Sequence, residues 1–342
     1  MQYWGKSMNR EINGMCQKLS IGIIAYNEEE FLPNLLNDMK SQKYPHKLIE
    51  ILLIDSCSTD GTKKIMQKFK DENSDFYSIQ ILDNTKKIQA AGWNVAIKNF
   101  TGDVLARIDA HTKVTAEYSE RVIKNIQDGE MVVGGIRPCV IEKDTPWANT
   151  LLQVENSLFG SSINSSRRST EKTYVKTMFH AAYRREVLNE VGLFNEKLLR
   201  TEDNEFHYRI RKAGYKLCYD PTIISYQYAR SDFKRMIKQK FWNGYWIGLT
   251  LKECSGCISL YHLVPFAFVI AIVITNIMAC IGVWQLAALM WCVYGLFAVV
   301  NTVVSVAQSK FYMSSLVIPF MFLILHVSYG IGTLRGMIDK VR

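Results

Sequence analysis

The C-terminal part of the chain constrains its structure most, because charged side chains are missing there over long intervals. No Asp, Glu, Lys or Arg lies between Glu253 and Lys310, or between Lys310 and Arg335. About 20 apolar helical residues cross the ~30 Å hydrocarbon core of a bilayer, so the first interval is long enough for two crossings and the second for one. Core helices of a soluble protein would need a polar face, which these intervals do not offer. We predict three membrane helices near residues 260–281, 285–305 and 313–334.

Residues 1–17 form a polar tail without the apolar segment of a secretory signal. The large N-terminal portion is therefore expected in the cytoplasm, as part of a multi-pass protein of the cell membrane. Three crossings would then place Lys310 inside but Arg335 and Lys340 outside, against the positive-inside bias. A re-entrant segment would remove this conflict, and the sequence leaves that alternative open.

The net charge of +9 favours contact with anionic phospholipid and with anionic substrates. Nucleic acid is not an expected partner, because no basic run alternates with stacking aromatic residues before the membrane segments. Among the eight cysteines only Cys254 and Cys257 have a Cys-x-x-Cys spacing. Without a second pair this spacing does not predict a zinc site.

Residues 18–225 read as one α/β domain in which strands alternate with helices. Such an order implies a parallel sheet with right-handed crossovers. We predict Asn27 as a helix cap, with Glu28 in the first helical turn, and a mobile loop over residues 157–173. Buried strands are predicted at residues 19–26, 49–54, 78–82, 103–108 and 131–136.

The segment from Phe233 to Thr250 combines aromatic and basic residues at helical spacing. Such a helix immediately before a membrane segment is expected to lie on the membrane surface. The sequence therefore divides into a tail (1–17), an α/β domain (18–225), an interfacial region (226–258) and a transmembrane region (259–342).

Acidic residues stand at the ends of predicted strands or at the start of a predicted helix: Asp55, Asp109 and Asp203. In open α/β sheets ligands bind outside the carboxyl ends of the strands. Asp109 and His111 lie two residues apart, so a strand places both side chains on the same side. One acid and one histidine suffice for a divalent cation that takes its other ligands from a nucleotide diphosphate. A capping Asp beside a surface His explains the same pattern, whereas Asp60 is better explained as a turn residue.

Five motifs occur in the order of a known family. Together they resemble the family-2 inverting glycosyltransferases of the GT-A fold, especially the bacterial membrane glucosyltransferases of succinoglycan assembly. The resemblance implies an α/β fold with a Rossmann-like, nucleotide-sugar-binding mixed sheet, followed by a C-terminal helical membrane domain. The resemblance covers about residues 18–225. The motifs are Ala25-Tyr-Asn-Glu-Glu29, Ile54-Asp-Ser-Cys-Ser-Thr-Asp-Gly-Thr62, Ala90-Ala-Gly-Trp-Asn94, Asp109-Ala-His111 and Thr201-Glu-Asp203.

The resemblance implies roles for the donor side of the site. Tyr26 and Glu28 would lie against the uridine of a UDP-sugar, and Asp55 would bind its base. Asp109 and His111 stand where the family has an Asp-x-Asp metal motif, so a magnesium or manganese ion is expected there. Histidine in place of the second aspartate makes this site softer than the family pattern.

The resemblance also implies that Asp203 is the catalytic base. Like-charge repulsion from Glu202 is expected to raise the pKa of Asp203 and strengthen it as a base. Five residues are candidates for the acceptor or product side of the site: Glu202, His180, Arg184, Gln239 and Trp242. A core-edge histidine and a solvated arginine would explain His180 and Arg184 as well.

Gln239 and Trp242 stand near the place where processive synthases of the family carry Gln-x-x-Arg-Trp, but the arginine and the spacing are absent. This departure favours transfer of a single hexose to a lipid-linked acceptor, in exopolysaccharide or capsule assembly. A polyprenyl-phosphate glycosyltransferase and a processive synthase remain alternatives. A non-catalytic membrane scaffold that senses a nucleotide sugar is the alternative from another class.

Overall fold

The computed structural model describes residues 17–160, 169–229 and 232–340. Residues 161–168 of the predicted loop, and nearly all of the N-terminal tail, lie outside these ranges. The strands are β1 (Leu19–Ala25), β2 (Ile49–Asp55), β3 (Ser78–Asp83), β4 (Val104–Asp109), β5 (Thr112–Val114), β6 (Val132–Ile136), β7 (Cys139–Val140), β8 (Thr173–Val175), β9 (Ala182–Arg184) and β10 (Leu217–Tyr228).

Eleven α-helices lie within the described residues, and short 3-10 turns join some of them. They are α1 (Leu32–Lys40), α2 (Thr62–Glu72), α3 (Gln89–Asn99), α4 (Tyr118–Gln127), α5 (Pro146–Asn156), α6 (Arg185–Val191), α7 (Glu202–Lys212), α8 (Phe233–Glu253), α9 (Val264–Cys280), α10 (Gln285–Ala307) and α11 (Ile318–Ile338).

The strands form one mixed sheet in the order β3-β2-β1-β4-β9-β6-β10-β5. The pairs β3-β2, β2-β1 and β1-β4 are parallel, as the alternating pattern predicts. The sheet is mixed, as the resemblance to the GT-A fold implies: β9 runs antiparallel to both β4 and β6, so the parallel arrangement expected from the alternating pattern alone is interrupted there. Strand β9 has only three residues and follows a long connection after β6. Its sequence therefore carries too little pattern to predict the direction in which it runs.

Side chains alternate between the two faces of β4 and enter two separate cores. Val104, Ala106 and Ile108 lie in the core that includes α1 and α4. Leu105 lies in the other, with Trp93 of α3 and Phe206 of α7. Burial on both faces is what a central parallel strand requires, and it leaves the strand ends as the accessible part of the sheet.

The predicted cap at Asn27 is wrong. Helix α1 begins at Leu32, with Pro33 in its first turn, where the fixed φ of proline favours a helix start. Asn27 has a φ of +53°, and its side-chain oxygen accepts a hydrogen bond from the backbone N of Thr59 at 2.8 Å. The residue therefore shapes a loop and does not begin a helix.

Three apolar helical segments at the C-terminus are long enough to cross a membrane, close to the three predicted intervals. The predicted interfacial helix is also present as α8. Inside the structure the three segments differ: α9 has no buried residue, whereas α11 has eight. The candidate spans are Leu260–Cys280, Gln285–Ala307 and Met313–Ile338.

Candidate active site

The loops that follow β1 and β2 are joined by reciprocal hydrogen bonds. The backbone N of Glu28 donates to Thr62 Oγ1 at 2.8 Å, and the backbone N of Gly61 donates to Glu29 Oε2 at 2.6 Å. Asp60 accepts from both the backbone N and the hydroxyl of Thr62, as its explanation as a turn residue requires. These bonds hold the two loops together at the carboxyl edge of the sheet.

Tyr26 and Asp55 lie beside each other at this edge, since Ala25 and Asp55 are partners in the β1-β2 ladder. Asp55 is 2% exposed, and its Oδ1 accepts from the backbone N of Ser58 at 3.1 Å. Tyr26 is 52% exposed. A free aromatic ring next to a fixed carboxylate can stack on a planar base and accept its N–H groups.

Asp109 ends β4 and accepts hydrogen bonds from three side chains. Its Oδ1 lies 3.0 Å from Gln89 Nε2, and its Oδ2 lies 3.2 Å from both Arg137 Nη2 and His180 Nε2. Burial alone would raise the pKa of Asp109, but the hydrogen bond from His180 and the positive charge of Arg137 outweigh it and hold the pKa well below its usual range. Asp109 is therefore ionised throughout the working pH range.

His180 is buried, and its Nδ1 lies 2.9 Å from the hydroxyl of Ser225. Burial and the charge of Arg137 lower the pKa of His180 to about 4. A neutral imidazole in this position orients Asp109 without adding a second charge to the site. The sequence indicated His180 as a candidate, and the structure places it against Asp109.

His111 faces Glu28, with 3.0 Å between Nδ1 and Glu28 Oε1. The hydrogen bond with this carboxylate raises the pKa of His111. No cluster of three or more His, Cys, Asp or Glu side chains among the described residues could hold an ion by itself. Asp109 and His111 could each supply one ligand to an ion that takes most of its ligands from a diphosphate.

Glu202 and Asp203 occupy the first turn of α7, with Thr201 as the N-cap residue. Glu202 is 4% exposed, and its Oε2 has no hydrogen-bond partner within the described ranges. Asp203 is partly exposed, and its Oδ1 accepts from the backbone N of Asn204 at 2.8 Å. The pair therefore consists of one buried carboxyl and one that can reach a ligand.

Burial raises the pKa of both Glu202 and Asp203, and the charge of Arg107 opposes that rise. The expectation that repulsion from Glu202 raises the pKa of Asp203 is thus corrected: loss of solvent is the largest cause. A carboxylate with a raised pKa at a helix N-terminus is a stronger base than an exposed one and is still stabilised as an anion.

Arg107 lies in the middle of β4 and was not among the predicted site residues. It is 5% exposed, and its guanidinium stacks between Trp93 and Phe194 at 4.7 and 4.9 Å from the ring centroids. A charged residue inside a buried strand, two positions before Asp109 and on the same face, is the sequence signal that could have indicated it.

Arg184 does not join the site. It pairs with Val104 at the start of β4, at the opposite end from Asp109. Its guanidinium donates to the carbonyl oxygens of Ile126 and Glu130 at 2.5 and 3.1 Å. The candidate role at the acceptor is therefore wrong, because β9 runs antiparallel to β4 and carries Arg184 away from the carboxyl edge.

Gln239 and Trp242 lie in α8, apart from the strand ends. The Trp242 ring packs edge-on against Phe241 and Tyr245. About two turns further along the helix, Thr250 is bonded to Thr201 beside the acidic pair. Helix α8 therefore reaches the acidic pair through its C-terminal half.

A mixed sheet with acidic residues at the carboxyl ends of β2 and β4, followed by apolar helices, is the architecture of a GT-A type glycosyltransferase. Residues 20–192, half of the chain, match the family model described as Glycosyl transferase family 2, so the chain belongs to that family. The family and fold that the motifs predict are confirmed.

Two curated relatives span most of the chain. One is the dolichyl N-acetyl-alpha-D-glucosaminyl phosphate 3-beta-D-2,3-diacetamido-2,3-dideoxy-beta-D-glucuronosyltransferase of Methanococcus voltae, 28% identical over 76% of this chain and 82% of that protein. The other is the succinoglycan biosynthesis protein ExoA of Rhizobium meliloti, 28% identical over 79% of this chain and 83% of that protein.

Among solved structures, the chain is similar to the mannosyltransferase PcManGT from Pyrobaculum calidifontis in complex with GDP-Man and Mn2+. The similarity has a TM-score of 0.59 at 17% identity and covers 94% of this chain and 88% of that one. At this identity it shows a shared fold, which here includes the C-terminal helices.

Proposed function

We propose that the chain transfers one hexose, with inversion, from a UDP-sugar to a lipid-linked saccharide at the cytoplasmic face of the cell membrane, in exopolysaccharide or capsule assembly. The catalytic domain is residues 18–225, followed by the interfacial region (226–258) and the membrane region (259–342). The observation that carries the proposal is the combination of an ionised Asp109 at a strand end with the acidic pair at the start of α7, in which the partly exposed Asp203 lies beside the buried Glu202 and has a raised pKa that suits a base.

The donor is held at the carboxyl edge of the sheet. Tyr26 stacks on the base, Asp55 accepts its N–H groups, and Glu28 keeps His111 in place through their hydrogen bond. Asp109 and His111 would hold a magnesium or manganese ion, which would supply positive charge to the leaving diphosphate. The Mn2+ in the complex of the similar mannosyltransferase supports this ion.

Asp203 acts as the base. Its carboxylate takes the proton of an acceptor hydroxyl while that oxygen forms a bond to the anomeric carbon, and the bond from that carbon to the diphosphate breaks with its electron pair on the leaving group. A single displacement from the opposite side inverts the anomer. Arg107 keeps a usable fraction of Asp203 ionised, because its charge opposes the effect of burial on the pKa.

The proximity of α8 to the acidic pair supports a lipid-linked acceptor. Thr250 of α8 is bonded to Thr201, and Arg200 donates to Asn243 of the same helix at 3.2 Å. An acceptor anchored in the bilayer would reach Asp203 along this helix, past Trp242 and Gln239. The relative from Methanococcus voltae, named for a dolichyl phosphate-linked saccharide, agrees with such an acceptor.

Transfer assays on the purified full chain in lipid nanodiscs test this proposal. A panel of labelled UDP-sugars with a polyprenyl-linked lipid extract is expected to give one labelled lipid product. Asp203→Asn should lower kcat by about 10²- to 10⁴-fold, while UDP affinity stays within about twofold because Asp203 does not bind the donor. Asp71→Asn, an exposed carboxylate on α2, is the control and should keep full activity.

The outcomes separate the alternatives. A product that lengthens with time indicates a processive synthase, and labelling of polyprenyl phosphate itself indicates a transferase to that lipid. UDP-sugar binding without transfer to any acceptor, unchanged in Asp203→Asn, indicates a sensing scaffold.

A further inference from the structure

Both ends of α11 are attached to elements of the catalytic side of the molecule. Just before its first turn, the hydroxyl of Ser314 lies 2.7 Å from that of Thr150, and Ser315 donates to Gln153 Oε1 at 2.8 Å. Thr150 and Gln153 belong to α5, which lies between β7 and β8 in the sequence. The start of α11 is therefore fixed to the catalytic domain.

The end of α11 is fixed to α8. Asp339 accepts hydrogen bonds from the Tyr245 hydroxyl at 3.0 Å through its side chain and from Lys252 Nζ at 2.5 Å through its backbone oxygen. Helix α8 is in turn bonded to Thr201 of the catalytic domain through Thr250. A helix of 21 residues is about 31 Å long, so a crossing helix would carry one of its ends to the far side of the bilayer.

Helices α8 and α11 pack with their backbones in contact. A Cβ on Gly332 would lie 2.1 Å from the carbonyl oxygen of Phe241, and one on Gly336 would lie 2.0 Å from that of Tyr245. From the first contact to the second, the position advances by four residues on α11 and also by four on α8. The two helices therefore run parallel. Gly244 and Gly248 give α8 the same Gly-x-x-x-Gly spacing, which permits such a close approach.

Helix α8 cannot cross a bilayer alongside α11. Its first two turns carry Lys234, Arg235, Lys238 and Lys240, and each such residue costs about 2.5–3.5 kcal/mol or more at the bilayer centre. The paired helix α11 must therefore lie at the same depth as α8. Apolar residues face away from the protein along the free side of α11: Phe320, Ile324, Ile331, Leu334 and Ile338.

Helices α9 and α10 are arranged differently. They form a hairpin in which Thr275 contacts Met290 and Phe268 stacks on Tyr294. No residue of α9 is buried, and those of α10 that are buried are small. Their outer surface is apolar along both helices, as lipid contact requires.

We propose that the chain crosses the membrane twice, by the α9-α10 hairpin, and that α8 and α11 lie side by side on the bilayer surface next to the catalytic domain. The free side of α11 contacts the acyl chains, and the exposed Lys234, Arg235 and Lys238 at the start of α8 contact anionic headgroups. Lys310, Arg335 and Lys340 then share the catalytic side, which removes the conflict that three crossings create with the positive-inside bias.

Tags of equal size at the N- and C-termini of the full chain test the number of crossings. In sealed inverted and right-side-out membrane vesicles, an added protease or antibody should reach both tags in the same preparation. Three crossings would expose the two tags in opposite preparations and would overturn the proposal. The result does not depend on which sugar is transferred.

A depth measurement keeps the proposal falsifiable if a tag disturbs insertion. Spin labels at Phe320 and Ile338 of the full chain in nanodiscs should show similar depths by oxygen and nickel accessibility. A crossing helix would separate these positions by roughly 27 Å along the membrane normal, and a difference of that order would overturn the proposal. Labels at Ile274 and Trp284 in the hairpin serve as controls and should differ in depth.

Discussion

The hydroxyls of Thr201 and Thr250 share a buried hydrogen bond of 2.5 Å. Thr250 Oγ1 also donates to the carbonyl oxygen of Trp246 at 2.6 Å. Because a hydroxyl carries one proton, Thr201 must donate to Thr250. This bond joins the N-cap residue of α7, immediately before Glu202 and Asp203, to the helix that leads into the membrane region.

Thr250→Val should separate the acidic pair from α8 without changing side-chain volume. Thr201 would be left with an unsatisfied buried hydroxyl, which costs about 1–3 kcal/mol. We expect a fall in melting temperature in nanodiscs and a lower kcat with unchanged UDP affinity, because the base moves while the donor residues do not. Thr250→Ser keeps the hydroxyl and should have the melting temperature and kcat of the wild type. Equal kcat in the wild type, Thr250→Val and Thr250→Ser would contradict a link between α8 and the acidic pair.

Arg107→Met should move the acidic limb of the pH profile of kcat/KM to higher pH. Asp203 must be ionised to act as a base, its pKa is raised by burial, and the charge of Arg107 opposes that rise. Without the charge the pKa of Asp203 rises further, so activity is lost at a higher pH as the solution is acidified. We expect a shift of about one pH unit, measured from rates between pH 5 and 9.

Arg107→Lys is the matched control for this prediction. It keeps the positive charge between Trp93 and Phe194 but not the planar stacking. Its pH profile should stay close to that of the wild type even if its melting temperature falls. A profile shift of the same size in both variants would show that packing, and not charge, is responsible.

Gly336→Ala should weaken the α8-α11 pair, because the new Cβ would lie 2.0 Å from the carbonyl oxygen of Tyr245. Overpacking of this kind costs about 1–3 kcal/mol, which should appear as a lower melting temperature. Gly295→Ala in α10 is the control: nothing lies within 4 Å of its added Cβ, and alanine is the better helix former. Equal melting temperatures for the two variants would contradict the close packing.

His111→Ala should lower the affinity for the UDP-sugar in the presence of Mn2+ by at least about tenfold, measured by calorimetry. In EDTA the two proteins should differ much less, because the lost group acts through the ion. His46→Ala is the control: this imidazole pairs with Asp75 and contacts none of the proposed donor residues, so the variant should bind the UDP-sugar as the wild type does. Affinity that is the same with and without the ion in both proteins would exclude the role of His111.

The donor side of the site could be predicted from local pattern because its residues follow buried strands directly. Asp55 and Asp109 end apolar runs, and the carboxyl ends of parallel strands meet at one edge. The acidic pair at Glu202 and Asp203 was also found, since it opens a helix. The antiparallel β9 could not be predicted, and with it the position of Arg184 was missed.

Contacts between distant segments gave the site its electrostatics. Nothing near Asp109 in the sequence indicates that His180 and Arg137 would bind its carboxylate, or that the charge of Arg107 in β4 would act on Asp203 at the start of α7. Burial, which is the main cause of the raised pKa of Asp203, depends on what packs above a residue and not on its neighbours along the chain.

The sequence by itself determined the family, the strand-end acids and three helices apolar enough to cross a bilayer, because these depend on residue type and local spacing. Tertiary structure decided how those helices are used. Composition indicates only whether a helix is apolar enough to lie in lipid, and both α9 and α11 are long and apolar enough to cross a membrane. The contacts of α11 with α5 and α8 distinguish it from the hairpin. Its start is held by the catalytic domain and its end by α8, which is itself bonded to that domain, so neither end is free to cross the membrane.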